Sequence, residues 1–170
     1  MDSRVELAQK TIKEYLENGK VFDSDNAPKE LLDKHAGCFV SIHKSDGELR
    51  GCIGTILPTC KNLAAEIVNN AISAATRDPR FQPITKEENP DLEISVDVLS
   101  EPEPIPSEAN LEPKKYGCIV KTEDGRTGLL LPDLEDVNTA SQQIAICKQK
   151  ANINPNESCY LYRFTVIRHK

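Results

Sequence analysis

Apolar positions along the chain fall into short runs with two different periods. In the opening segment Val5, Ala8, Ile12, Tyr15 and Leu16 recur at helical spacing, and Gly19 supplies a stop. Pro28 suits a first helical turn, and a short second helix is expected to carry Leu31 and Leu32 and end at Gly37. Cys38 to Lys44 is rich in strand formers, Ser45-Asp46-Gly47 has turn chemistry, and Leu49 to Gly54 returns, which predicts a hairpin. Leu63, Ile67, Ala71 and Ala74 then form an apolar stripe that predicts a helix over 63–76. From Asp91 to Ser100 the pattern alternates. Leu92, Ile94, Val96 and Val98 point one way and Glu93, Ser95 and Asp97 the other, as in a half-buried strand.

Residues 101–113 hold Pro102, Pro104, Pro106 and Pro113, show no period, and read as an extended connector. After it the order repeats. Gly117 to Val120 opens a strand, Glu123-Asp124-Gly125 turns, and Gly128 to Leu131 returns. Ala140, Ile144, Cys147 and Ala151 mark a helix, and Tyr160, Tyr162, Phe164 and Val166 alternate in a final strand. Gly37-Cys38-Phe39-Val40 matches Gly117-Cys118-Ile119-Val120, and Asp46-Gly47 matches Asp124-Gly125. The fold class read from this is α+β: duplicated β-β-α-β units of mostly antiparallel sheet with flanking helices, in two lobes sharing a cleft. The first half spans about 37–100 and the second about 117–168, with N-terminal helices in 3–36, all one domain. Asp-Gly turns are common in hairpins, so chance likeness of the halves is the competing reading.

Composition narrows the function classes. Aromatics are only 5% and Trp is absent, so the core is aliphatic. The net charge of −6, with scattered Lys and Arg, argues against nucleic-acid phosphate and anionic membrane as partners. No apolar stretch has signal-peptide or membrane-span length, so the expected location is the cytoplasm. The six cysteines include no C-x-x-C pair, and in a reducing compartment they read as free thiols packed as small apolar residues. The three histidines, at 35, 43 and 169, have no metal spacing, and no phosphate loop or Gly-x-Ser-x-Gly elbow is present, so neither metal nor cofactor is expected.

Candidate chemistry concentrates in Leu49-Arg50-Gly51-Cys52-Ile53-Gly54-Thr55. Glycines inside a strand are kept where a backbone or ligand comes close, which singles out Gly51 and Gly54. Arg50, Cys52 and Gly54 share one face. An Arg beside a thiol favours the nucleophilic thiolate, which makes Arg50 and Cys52 an anion-binding and nucleophile pair; a small core cysteine is the alternative. Arg77-Asp78-Pro79-Arg80 fits recognition of a carboxylate or phosphate through Arg77, with Asp78 orienting an Arg, and fits an internal salt bridge equally well. His43, on the neighbouring strand, is the candidate base for Cys52, or a surface residue.

The segments Leu49–Thr55, Arg77-Asp78-Pro79-Arg80-Phe81 and Gly128-Leu129-Leu130-Leu131-Pro132, with Ser95-Val96-Asp97-Val98-Leu99-Ser100 and Lys150-Ala151, resemble the signature of the AMMECR domain. The stretch Leu130 to Thr139 is most similar to the prokaryotic branch called AmmeMemoRadiSam system protein A. The resemblance implies a two-lobed α+β fold, and a functional surface at Arg50, Gly51, Cys52 and Gly54. It implies Memo-like and radical SAM proteins as partners. Some relatives carry an added dioxygenase-like domain, for which this chain is too short. Where the family often has Lys-Ala-Gly, this chain has Lys150-Ala151-Asn152, and Asn tolerates the left-handed cap that Gly supplies. Two functions follow as expectations: a binding or accessory module acting through the Leu49–Thr55 surface, or an enzyme using Cys52 as a thiol nucleophile on an anionic small molecule or protein.

Overall fold

The computed structural model describes all 170 residues. The chain divides into two compact units, residues 1–99 with 167–170, and residues 100–166.

In the first unit, helix α1 (Ser3–Asn18) starts where the Asp2 carboxylate accepts the Arg4 N–H and stops at Gly19, whose φ of 67° closes the last turn. Its stripe of Val5, Ala8 and Ile12 is buried as the period predicts. Helix α2 (Lys29–Leu32) is a single turn ending at Asp33, shorter than the pattern suggested. Strands β1 (Cys38–Lys44) and β2 (Leu49–Gly54) form the hairpin, with Gly47 at φ 87° in its turn. Helix α3 (Leu63–Thr76) begins under an Asn62 cap. Strand β3 (Leu92–Leu99) pairs antiparallel with β1 on the side away from β2.

Cys38, Val40 and Ile42 of β1 and Ile94, Val96 and Val98 of β3 face a core completed by α1 and α3. Burial pushes the Cys38 thiol up to about 12, as suits a packing residue. The opposite face of β3 differs from the half-exposed one expected. Glu93 is exposed, but Ser95 and Asp97 are buried. Ser95 lies across from Ser41, and Asp97 holds Arg168 in a two-point ion pair at 2.8 and 2.7 Å.

In the second unit, strand β4 (Glu103–Ile105) lies inside the proline-rich segment read as a connector. Proline is tolerated there because β4 is an edge strand, paired only with β7 (Tyr160–Phe164). Strand β5 (Gly117–Lys121) pairs with β6 (Thr127–Leu130) on one side and β7 on the other. Helix α4 (Ala140–Lys150) opens on a Thr139–Gln142 capping box. Asn152 follows it at φ 55°, the left-handed conformation expected of that Asn. The final alternating run is not one strand. It breaks at Thr165, and β8 (Val166–His169) joins the other sheet. Thr165 is tied to Ser100 by two hydrogen bonds, its N–H donating to the Ser100 hydroxyl and its carbonyl accepting the Ser100 N–H.

The two sheets run β2-β1-β3-β8 and β6-β5-β7-β4. In each, a hairpin is followed by a helix and then by a strand that returns beside the first. No helix is long and apolar enough to cross a membrane.

Candidate functional site

The Leu49–Thr55 stretch forms β2, an edge strand whose only strand neighbour is β1. Gly51 is buried on the α3 side. A Cβ there would sit 2.3 Å from the Ala74 carbonyl oxygen, so only glycine lets the end of α3 come this close. Gly54 lies opposite Phe39, and a Cβ there would stand 2.3 Å from the ring. Both glycines therefore serve close packing within the unit.

Cys52 faces the other way and is half-buried. It lies directly across from Ser41, whose hydroxyl donates to its sulfur at 3.2 Å. The Cys52 N–H points away from β1 and is accepted by Asp78 Oδ2 at 3.0 Å. Arg80 Nη2 donates to the Cys52 carbonyl at 3.4 Å. Asp78 and Arg80 are themselves joined at two points, 3.0 and 2.8 Å. Together they meet the outward N–H and C=O of Cys52 as a neighbouring strand would, and so close the sheet edge there. The Arg80 guanidinium, helped by the Cys52 N–H and opposed by burial, holds the Asp78 carboxyl well below the ordinary carboxylate range.

Arg50 is the extra residue of β2 where the register with β1 slips, Ile42 lying opposite Gly51 and His43 opposite Leu49, and it turns to a different partner. Its Nε and Nη2 donate to the two Glu88 oxygens at 3.0 and 3.2 Å, and Nη1 donates to the Gln82 carbonyl at 2.8 Å. The guanidinium thus straps residues 82–88 to the strand. Arg77 follows α3 as an exposed side chain with no ion pair. His43 occupies the next same-face position beyond Ser41 on β1 and lies opposite Leu49 in the register, so it is diagonal to Cys52. The structure therefore brings Cys52, Asp78, Gly51 and Gly54 into one neighbourhood, directs Arg50 to Glu88, and leaves Arg77 and His43 at its margins.

Glu66 and Asn70 complete the site and were not singled out in the sequence. Both are buried on α3. Glu66 accepts from the Thr55 and Thr59 hydroxyls at 2.5 and 2.9 Å and from the Thr59 and Cys60 N–H groups at 2.9 and 2.8 Å. Burial pushes its carboxyl up, but these bonds outweigh that and hold it below its ordinary value. Asn70 donates to the Thr55 hydroxyl and the Cys38 carbonyl at 3.1 and 3.0 Å. The signal was available: Glu66 and Asn70 fall among Leu63, Ile67, Ala71 and Ala74, on the apolar stripe where a polar residue needs a partner. No group of three or more His, Cys, Asp and Glu side chains is placed to hold a metal ion.

The chain is matched over residues 5–169 by the AMMECR1 family model. A Thermotoga maritima protein is 51% identical over 98% of this chain and 96% of its own length. A Clostridium acetobutylicum protein is 46% identical over 99% of this chain, which spans only 36% of that longer relative. The crystal structure of an uncharacterised Pyrococcus horikoshii protein superposes with a TM-score of 0.83 at 32% identity, covering 97% of this chain and 88% of the other.

Proposed function

The chain belongs to the AMMECR1 family, and on that footing we propose that it is a binding or accessory module whose recognition surface is the face of β2 and β1 around Cys52. The observation that supports this is how the polar groups of the Leu49–Thr55 strand are employed. Arg50, the Cys52 backbone and Thr55 are each tied to a side chain from α3 or the segment after it. Such bonding fixes a surface in one shape, and a rigid surface loses little conformational entropy on binding. Memo-like and radical SAM proteins are the proposed partners, on the resemblance of the chain to the prokaryotic branch.

Catalysis by Cys52 is the second reading, supported by the half-buried thiol on that same face. A thiol nucleophile needs a group that takes its proton. The hydrogen bond at the Cys52 sulfur instead comes from the Ser41 hydroxyl, which donates. This favours recognition over catalysis.

Co-purification tests the proposal. The tagged chain, mixed with the purified Memo-like and radical SAM proteins of the same genome, retains at least one of them through gel filtration. Separate elution of all three proteins in every pairing would remove the partner assignment.

A further inference from the structure

Strand β3 is longer than its outer neighbour. It runs eight residues, and β8 runs four. Two contacts fix how they lie: the Ser100 N–H donates to the Thr165 carbonyl, and Arg168 pairs with Asp97. One step forward on β8 is therefore one step back on β3, and His169 comes level with Val96. The start of β3, Leu92 to Ile94, lies past the end of β8. Its backbone direction follows from the β1 side. The Leu99 N–H donates to Gly37, just before β1, so by the period of two Asp97, Ser95 and Glu93 bond toward β1, and Ile94 and Leu92 point away from it. The Leu92 N–H turns back to the Asn89 carbonyl. The Leu92 C=O and the Ile94 N–H and C=O are left facing outward, beyond the last pair with β8. Three other sheet edges are blunted: β2 by Asp78 and Arg80, β4 by Pro104, and β6 by Lys150 Nζ, which donates to the Leu129 carbonyl at 2.9 Å. The start of β3 borders a groove instead.

Two cavities of about 510 and 350 Å³ adjoin in that groove, sharing Gln9 of α1 with Leu92 and Ile94. Its walls hold Lys10, Lys13, Arg168 and Lys170 against Glu6 and Glu93, a cationic excess on a chain of net charge −6. Lys10 already faces Glu6, and Arg168 faces Asp97, which leaves Lys13 in one cavity and Lys170 in the other against Glu93 alone. We infer that this groove docks an extended acidic peptide of a partner protein, which adds to β3 as a strand in line with β8. An extended main chain about 4.8 Å from β3 meets the three outward groups as a neighbouring strand does. A helix does not, because its own N–H and C=O groups are bonded within it. Alternate side chains of the added strand point toward α1 and away from it, and carboxylates among them meet Lys13 and Lys170. The site lies within the first unit, at the opposite edge of the sheet from β2 and the Cys52 face.

The probe is an N-acetylated, C-amidated peptide of alternating glutamate and valine, about six residues long, which at ~3.3 Å per residue spans the uncovered start of β3. Amide exchange of the unmutated chain is followed by NMR with and without it. At saturating peptide the Ile94 N–H is expected to exchange at least about tenfold more slowly, because it gains a strand partner. The same peptide with every amide N-methylated, which cannot donate to a strand, is expected to give no protection. Lys13→Glu, a change at an exposed position, is expected to weaken binding about threefold. Unchanged exchange at Ile94 with millimolar peptide would overturn the proposal. Equal protection by the N-methylated peptide would overturn strand addition, and equal protection by a lysine–valine peptide would overturn the acidic character of the partner. Protection of Ile94 that rises with protein concentration alone would assign the groove to a second copy of the chain and overturn the proposal as well.

Discussion

The carboxylate of Asp78 accepts the backbone N–H of Cys52 at 3.0 Å, and Arg80, held by the same carboxylate, donates to the carbonyl of Cys52. A side-chain pair thus stands where a further strand of the sheet would lie. Asp78 is almost fully buried, so removing it strands a backbone donor and a guanidinium together. Asp78→Ala is expected to cost about 1–3 kcal/mol, read as a lower urea midpoint at an unchanged slope.

That contribution depends on pH in a definite direction. The Asp78 carboxyl lies below its ordinary value when folded, so its stabilisation is fully present above the unfolded value of about 3.9. It is lost as pH falls from there toward the folded value. Glu66, also lowered, acts with the same sign. The stability gap between the parent chain and Asp78→Ala should therefore be full near neutrality and shrink below about pH 4. A gap that widened on acidification would contradict the assignment.

Gly51 and Gly128 answer the same packing demand in the two units. A Cβ at Gly51 would lie 2.3 Å from the Ala74 carbonyl oxygen, and one at Gly128 would clash with the Cys147 carbonyl. In both cases the obstacle is helix backbone, which cannot rotate aside. Gly51→Ala and Gly128→Ala are each expected to lose about 1–3 kcal/mol by thermal or urea unfolding. Neutral substitutions would mean that the helices stand further from the sheets than described.

Arg50 holds residues 82–88 through Glu88 and the Gln82 carbonyl. Arg50→Ala should raise amide exchange in that segment well above its level in β1 and β3, with a stability loss of about 1 kcal/mol. Arg50→Lys should recover only part of the protection, because an ammonium cannot make the two-point pair. Equal exchange in all three proteins would show that the strap carries no load.

Much of the first unit was legible because its residues follow a single local period. Leu63, Ile67, Ala71 and Ala74 mark α3, and the alternation about Ser45-Asp46-Gly47 marks the hairpin. What escaped depends on contacts distant in sequence. Nothing near Cys52 announces that Asp78, beyond a whole helix, will take its N–H. The prolines around Glu103–Ile105 suggested a connector, and only pairing with β7 makes an edge strand of it. Val166 continues the alternation of Tyr160, Tyr162 and Phe164 perfectly, yet the chain turns at Thr165, where Ser100 takes both of its backbone groups. In the site, the motif glycines were visible as places of close approach, but not that α3 and Phe39 are what approach them.

The most direct measurement of the binding role is the affinity of the chain for its captured partner in two Cys52 variants, each first shown to be folded by circular dichroism. Cys52→Ser keeps the shape of the face and removes the thiol, whereas Cys52→Tyr keeps a strand-compatible residue and fills the face. The account predicts affinity within about twofold of the parent for Cys52→Ser and a loss of at least about tenfold, roughly 1.4 kcal/mol, for Cys52→Tyr. Undiminished binding by Cys52→Tyr would contradict it.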